Sequence, residues 1–269
     1  MTARPLRPQL VRLGRIGRPP LVAALLNSSP PVVSCVMAHD WFTLDELSQH
    51  LGRDLRELEK LVNRGRIPGH KRGGEWTFQA TEVTQWLEQE MRSYSDPELA
   101  VVESSQRSPE LNPLLPVTSL MSPKTVQVPL EGRTKRSILE GLVEVAGRTY
   151  QIWEPATVLK AVLEREELMS TAFDFGVALP HPRQTLVDSI GESVVAFGRT
   201  PSPIPFGAAN NSMTDMFFLV ICRDARTHLH VLARIGRMLQ QPGFVQLLRE
   251  ADDSESAYQV ICDAEARVG

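Results

Sequence analysis

The sequence predicts two folded units in one chain: a small helix-turn-helix unit with a β-hairpin, then a larger layered α/β domain. Three observations carry this expectation. Two short apolar stripes at helical spacing, Leu44-Leu47-Leu51 and Leu55-Leu58-Leu61-Val62, flank Gly52 with few residues between them. A stretch over residues 93–123, rich in Ser, Pro, Glu, Asp and Gln, then breaks the periodicity. Beyond it, helical stripes alternate with apolar runs such as Met216–Cys222, MFFLVIC, the pattern of a central strand covered on both faces.

Before the first stripe, residues 1–36 carry five arginines, many prolines and no acid. Their composition reads as a disordered or mis-assigned extension, with Met37 an alternative start, and a basic arm on DNA as the other reading. Prolines bracket the apolar Leu21–Leu26 too closely for a secretory signal. Order is expected from about Trp41. Thr43 and Glu46 form a capping-box pattern before the first stripe, and Asp54 and Glu57 repeat it before the second. Arg66–Lys71 and Trp76–Gln79 flank Arg72-Gly73-Gly74-Glu75, a hairpin turn. Thr81 is expected to cap a last helix carrying Val83, Trp86 and Leu87. These elements occupy residues 38–92, and 93–113 reads as a solvated linker that would make rigid coupling between the two units unfavourable.

In the second unit, residues 114–269, Ser137–Ala146 reads as a helix with Ile138, Leu139, Leu142, Val143 and Ala146 inward. Pro155 suits the first turn of another, carrying Val158, Leu159, Val162 and Leu163. Val177-Ala178-Leu179-Pro180 is a strand-like run that delivers His181 to its end. Ser193–Phe197 and Met216–Cys222 are strands. His228–Leu239, Gly243–Glu250 and Ser254–Ala264 read as helices.

Composition narrows the function classes. Of 269 residues, 42% are hydrophobic and 23% charged, with a net charge of −3, so no global pull toward nucleic acid or anionic lipid exists and a basic site must be local. Cys35, Cys222 and Cys262 lie far apart, which argues against a disulfide framework or a zinc site. No apolar run reaches the roughly 20 residues of a membrane span. A cytoplasmic protein without membrane insertion is expected.

The order helix, turn, helix, wing, helix, and above all LVNRGRIPGHKRGGEWTFQATEVTQWLEQ, resembles the excisionase-like branch of MerR-type winged helix-turn-helix domains. That resemblance implies a second helix in the DNA major groove and a wing on the backbone, with Arg56, Lys60, Arg64, His70, Lys71 and Arg72 as contacts. Against it, residues 38–92 hold eight Lys/Arg and ten Asp/Glu, which suits a protein-interaction module as well. The basic residues gather on the second helix and the wing.

EREELMSTAFDFGVALPHP, SPIPFGAANNSMTDMFFLVICRDARTHLHVLARIGRML and LLREADDSESAYQVICD are similar to the mannitol/fructose-type enzyme IIA domain of the bacterial phosphotransferase system, with the nitrogen-regulatory branch nearest. The resemblance covers most of residues 114–266. It implies a mixed β-sheet flanked by helices and a phospho-accepting histidine, His181, charged by the phosphocarrier protein HPr or a paralogue. It also implies a second histidine, His228, an arginine, Arg165, and donors from Ser170 and Thr171. No metal and no cofactor is implied. A neutral imidazole suits this chemistry, one nitrogen attacking while a bond at the other fixes the tautomer. Arg165 would offer a planar fork to phosphoryl oxygens.

His230 lies close enough in sequence to compete with His228. A His-x-His pair is a pattern found in metal sites, but those side chains diverge on a helix. Two departures from the family pattern stand out: Pro182 after the histidine lacks an N–H, and Ala172 after Ser-Thr resists positive φ. The expected function is a regulator in which a phosphorylated His181 is coupled to a DNA-binding module. The alternatives are a sugar-uptake component passing phosphate to an enzyme IIB cysteine, and a binding-only regulator whose acceptor site has decayed.

Overall fold

A two-residue strand, β1 (Trp41–Phe42), opens the part of the chain that the computed structural model describes, residues 40–107 and 115–268. The expectations for residues 1–36 lie outside those residues. Helix α1 (Leu44–Leu51) starts on Thr43, whose hydroxyl accepts from the Glu46 amide while Glu46 accepts from the Thr43 amide. It stops at Gly52, φ 64, a left-handed end that a side chain resists. Asp54 caps α2 (Leu55–Asn63). Leu47, Leu51, Leu58 and Val62 are buried between the two.

The hairpin of β2 (His70–Arg72) and β3 (Glu75–Gln79) turns on Gly73 and Gly74, both at positive φ. β1 pairs with the other edge of β3, a third strand that the sequence did not suggest. Helix α3 (Ala80–Glu90) follows without a break, and the Ala80 amide bonds the Asp40 carbonyl. The expected Thr81 cap is therefore not formed: the N-cap position lies two residues earlier, on Gln79, with no side-chain cap.

The linker expectation is also revised. After a 3-10 turn at Met91–Ser93, residues Asp96–Ser105 form a helix, α4, opened by a Ser95–Glu98 capping box. Leu99 and Val102 are buried, and so is Glu103 at 1% exposure. A capped, half-apolar helix of ten residues docks rather than dangles.

The second unit runs β4 (Val126–Gln127), α5 (Lys135–Gly147), α6 (Pro155–Leu168), β5 (Val177–Ala178), β6 (Val194–Ile204), β7 (Thr214–Ile221), α7 (Ala225–Leu239), α8 (Phe244–Glu250) and α9 (Ser254–Arg267). Strand order is β4-β6-β7-β5. β6 and β7 are antiparallel, while β4 and β5 lie parallel to their neighbours, so the sheet is mixed. Alternation along β7 sends Met216, Phe218 and Val220 to one face and Phe217, Leu219 and Ile221 to the other, as the pleat requires. Helices α5 and α6 cover the second face.

The first face packs into an apolar core that continues through α7 to Leu99, Leu87, Phe78 and Leu47. The winged unit and the α/β domain thus share one core, and the described residues belong to one compact unit. The expected loose tether is not what joins them; α4 laid against α7 is.

Candidate active site

Strand β5 carries the chain past Ala178, and the Val220 amide still holds the Pro180 carbonyl at 2.9 Å. His181 therefore leaves the sheet from a fixed point and is 4% exposed. Its Nδ1 lies 2.7 Å from the Leu179 carbonyl. A carbonyl only accepts, so Nδ1 carries a proton and Nε2 is the nitrogen turned toward the site. His228 sits in the first turn of α7, behind the Asp224 cap that takes the Thr227 amide at 2.8 Å. The two imidazole centroids are 4.9 Å apart.

Arg165, near the end of α6, is buried and donates to the Met169 carbonyl at 2.9 Å. Its other terminal nitrogen reaches Oε2 of Glu88 at 3.3 Å. Glu88 belongs to α3, in the winged unit. The same carboxylate places Oε2 3.1 Å from His181 Nε2 and Oε1 2.8 Å from His228 Nε2. With Nδ1 of His181 on the Leu179 carbonyl, the Glu88 carboxylate stands directly against Nε2.

Burial works to raise the Glu88 pKa, but the charge and hydrogen bonds of His181, followed by those of His228, hold it well below the ordinary carboxylate range. Burial pushes His228 down, and the Glu88 hydrogen bond opposes that only in part. His228 is thus a neutral Nε2–H donor near neutral pH.

A second contact flanks the first. Arg92, just past α3, donates to the Ser170 carbonyl at 2.8 Å and to the Ala172 carbonyl. Its guanidinium lies over the Phe173 ring at 5.0 Å. The loop expected to cradle phosphate is thereby held from outside.

The structure brings together His181, His228 and Arg165. The Ser170 and Thr171 hydroxyls are committed elsewhere: Ser170 Oγ donates to the Phe206 carbonyl, and Thr171 donates to Glu166 at 2.6 Å through Oγ1 and 3.0 Å through its amide. His230 points to α4, within 2.8 Å of the Leu115 carbonyl and 3.3 Å of the Glu103 carbonyl, so it does not compete with His228. Ala172 bridges to Ala178; among described non-glycines only Tyr150 and Asn211 have positive φ, so alanine is unstrained there. Burial, then Asp224, pushes the Cys222 thiol up, consistent with an inert apolar filler.

Glu88, His181 and His228 have the donor types of a divalent-ion site, with ligand atoms all within 4.8 Å of one another. The Arg165 guanidinium already bonds the same carboxylate, so a cation is in place there and a second would meet repulsion. Arg165 and the two histidines suit an anion better than a metal, and the Glu88 carboxylate is the anion in place.

Residues 119–264 match the family model described as phosphoenolpyruvate-dependent sugar phosphotransferase system, EIIA 2. The chain belongs to that family. Residues 41–91 match a helix-turn-helix domain model, so an EIIA domain and a helix-turn-helix domain are fused in one chain. The EIIA part is 30% identical over 153 residues to a nitrogen regulatory protein of Escherichia coli (strain K12), covering 56% of this chain and 92% of that one. It is 30% identical over 149 residues to one of Bradyrhizobium diazoefficiens, covering 55% and 95%. The crystal structure of nitrogen regulatory protein IIA-Ntr from Neisseria meningitidis aligns at TM-score 0.49 and 22% identity, over 54% of this chain and 98% of that one.

On the helix-turn-helix domain, Arg56, Lys60 and Arg64 are exposed along or just beyond α2, and His70, Lys71 and Arg72 on the wing. Three of the six are engaged locally. His70 pairs with Glu82 at 2.8 Å, Lys71 lies over Trp76 at 5.0 Å, and Arg72 over Trp41 at 3.9 Å. No described helix is long and apolar enough to cross a membrane.

Sequence reasoning missed Glu88 and Arg92. Glu88 adjoins Leu87 on the edge of the Val83-Leu87-Met91 stripe, where an acid normally reaches solvent. Its placement beside the stripe was the only local signal.

Proposed function

We propose that this EIIA domain accepts a phosphoryl group on Nε2 of His181 from an HPr-type phosphocarrier, and that the helix-turn-helix domain converts the modification into altered DNA occupancy. The observation that carries the reading is the bond from His181 Nδ1 to the Leu179 carbonyl. It fixes the tautomer that leaves the Nε2 lone pair as nucleophile, facing Arg165 and His228. The phosphoryl group passes as a metaphosphate-like unit. The donor nitrogen keeps the electron pair of the broken P–N bond, His181 Nε2 forms the new one, and Nδ1–H stays on Leu179. Developing negative charge on the oxygens meets the Arg165 guanidinium and the His228 Nε2–H.

The exposed Arg56, Lys60 and Arg64 support DNA contact through α2, with His70, Lys71 and Arg72 orienting the wing on phosphates. The test is incubation with phosphoenolpyruvate, enzyme I and HPr. Alkaline mass spectrometry should find an acid-labile phosphoryl adduct on the wild type and none on His181→Ala. A DNA shift that weakens with salt, and weakens again in Arg64→Ala and Lys71→Ala, tests the other half. Absence of the adduct from both the wild type and Glu88→Ala would remove the acceptor reading.

The buried Pro182 and the filled pocket favour one rival, a binding-only regulator. It expects no adduct even when Glu88 is removed.

A further inference from the structure

We infer that Glu88 is a built-in ligand of the phosphoryl site: the helix-turn-helix domain plugs its own EIIA domain with a carboxylate, and that plug and a phosphoryl group on His181 exclude each other. The inference rests on the acceptor reading of His181 for its regulatory meaning, while the plug stands on geometry alone.

Two groups that would meet phosphoryl oxygens, and the nitrogen that would bond the phosphorus, all meet this one carboxylate instead. His228 Nε2 lies 2.8 Å from Oε1, and Arg165 lies 3.3 Å from Oε2. Oε2 is also 3.1 Å from His181 Nε2, the nucleophile itself. A phosphoryl group bonded to Nε2 would put its oxygens in the volume Oε2 now fills. Its negative charge would add like-charge repulsion against a carboxylate in a nearly dry setting, Glu88 being 6% exposed. The plug also covers the reactive nitrogen, because Oε2 stands 3.1 Å from Nε2, where an incoming phosphorus would have to come.

The plug is seated on both sides. Leu87 and Met91, flanking Glu88 in sequence, are buried in the shared core. Arg92 ties the next turn to the Ser170 and Ala172 carbonyls. Such a pairing is a surface built for this site, with its partner on the same chain. Because β3 runs directly into α3, expelling Glu88 shifts the helix that carries the wing. Coupling is reciprocal: whatever holds α3 away must speed phosphorylation, and phosphorylation must free α3.

The experiment uses the full chain as wild type, Glu88→Ala, Glu88→Gln, His181→Ala, and Glu90→Gln as a control for an exposed acid on the same helix. Each is treated with the enzyme I–HPr donor set and, separately, with potassium phosphoramidate, a small reagent that modifies histidine nitrogens without a protein donor. Only the open fraction reacts, so Glu88→Ala and Glu88→Gln should gain phosphate on His181 about tenfold faster than wild type with either reagent. Glu90→Gln should match wild type. Hydrogen exchange over residues 80–93 should rise in the Glu88 variants and in phosphorylated wild type, while the β7 core stays protected.

Equal rates of His181 modification by phosphoramidate in wild type and Glu88 variants, including none in either, overturn the inference. So does unchanged exchange after phosphorylation. If protein donors fail on every form while phosphoramidate is faster on the Glu88 variants, the phosphocarrier reading falls and the plug stands.

Discussion

His181, Arg165 and His228 all come within hydrogen-bonding distance of the Glu88 carboxylate, and each of the four side chains has a different task. His181 supplies a lone pair whose direction is set by Leu179. Arg165 supplies permanent charge, and His228 a neutral N–H. Glu88 now takes the place of the incoming group. This division of labour makes a specific expectation for His228. In a Glu88→Ala background, where docking no longer confounds the rate, His228→Ala should slow phosphorylation of His181 by about a hundredfold, the usual loss for one donor aimed at a developing oxyanion. His228→Gln, which keeps an N–H at similar reach, should recover part of it. Phosphate incorporation against time measures both, and equal rates for Ala and Gln would remove the donor role. The three EIIA residues were legible in the sequence through the family resemblance, because they lie in motifs that it covers. Ser170 and Thr171 were read from the same motif, yet Glu166 and the Phe206 carbonyl take their hydroxyls, partners that no local pattern reveals. Glu88 was illegible because its meaning comes from a surface 93 positions away in sequence.

At the scale of elements, α4 and α7 decide whether the two domains act as one. Glu103 on α4 is buried between Arg234 at 2.9 Å and Arg237 at 2.7 Å, while Arg237 also holds Asp96 at 2.9 Å. Arg234 further reaches Glu265 of α9 at 3.4 Å. Removing Glu103 leaves Arg234 with Glu265 and Arg237 with Asp96, each guanidinium one carboxylate short, so Glu103→Ala should cost about 3 kcal/mol in urea unfolding at neutral pH. A loss below about 1 kcal/mol would mean water or neighbours replace the carboxylate freely. The helices also approach closely at Gly236, where an added Cβ would stand 3.0 Å from Leu99 Cδ1. Gly236→Ile is therefore expected to cost about 1–3 kcal/mol by overpacking, with a matching rise in exchange over α4. α5, α7 and α9 were readable because their stripes are long and a side chain caps each start, and α6 because Pro155 opens it. α4 was not, since ten residues with only Leu99 and Val102 fully apolar-buried look like solvated chain until a partner helix is known. β1 and β4 were missed for the simplest reason: two residues cannot show a period.

For the whole molecule, a core continuous from Leu47 to the sheet implies one cooperative unfolding transition for residues 40–268 rather than two, so a titrating group in the winged unit is felt throughout. His50 is such a group. It stacks on Phe42 at 4.8 Å, its Nε2 has no hydrogen-bond partner, and burial first, then the charge of Arg226, lowers its pKa from 6.5 to about 4. The folded state therefore resists a proton that the unfolded chain accepts. Stability is complete above about pH 6.5, falls as the pH drops, and levels off below about 4, where both states are protonated. With about 1.4 kcal/mol per unit, His50 accounts for about 3 kcal/mol of this loss at most. His228, also pushed down by burial, acts with the same sign, and Glu88 adds its share only at more acidic pH because its pKa is depressed from a carboxylate's starting point. Replacing His50→Phe keeps the stack on Phe42 and removes the titration. Urea unfolding at pH 7, 6, 5 and 4 should show the wild-type free energy falling more steeply than that of the variant, by an amount that grows until pH 4. Parallel curves would mean the His50 ring gains its proton without opening the fold, and two separated transitions would mean the shared core does not couple the domains.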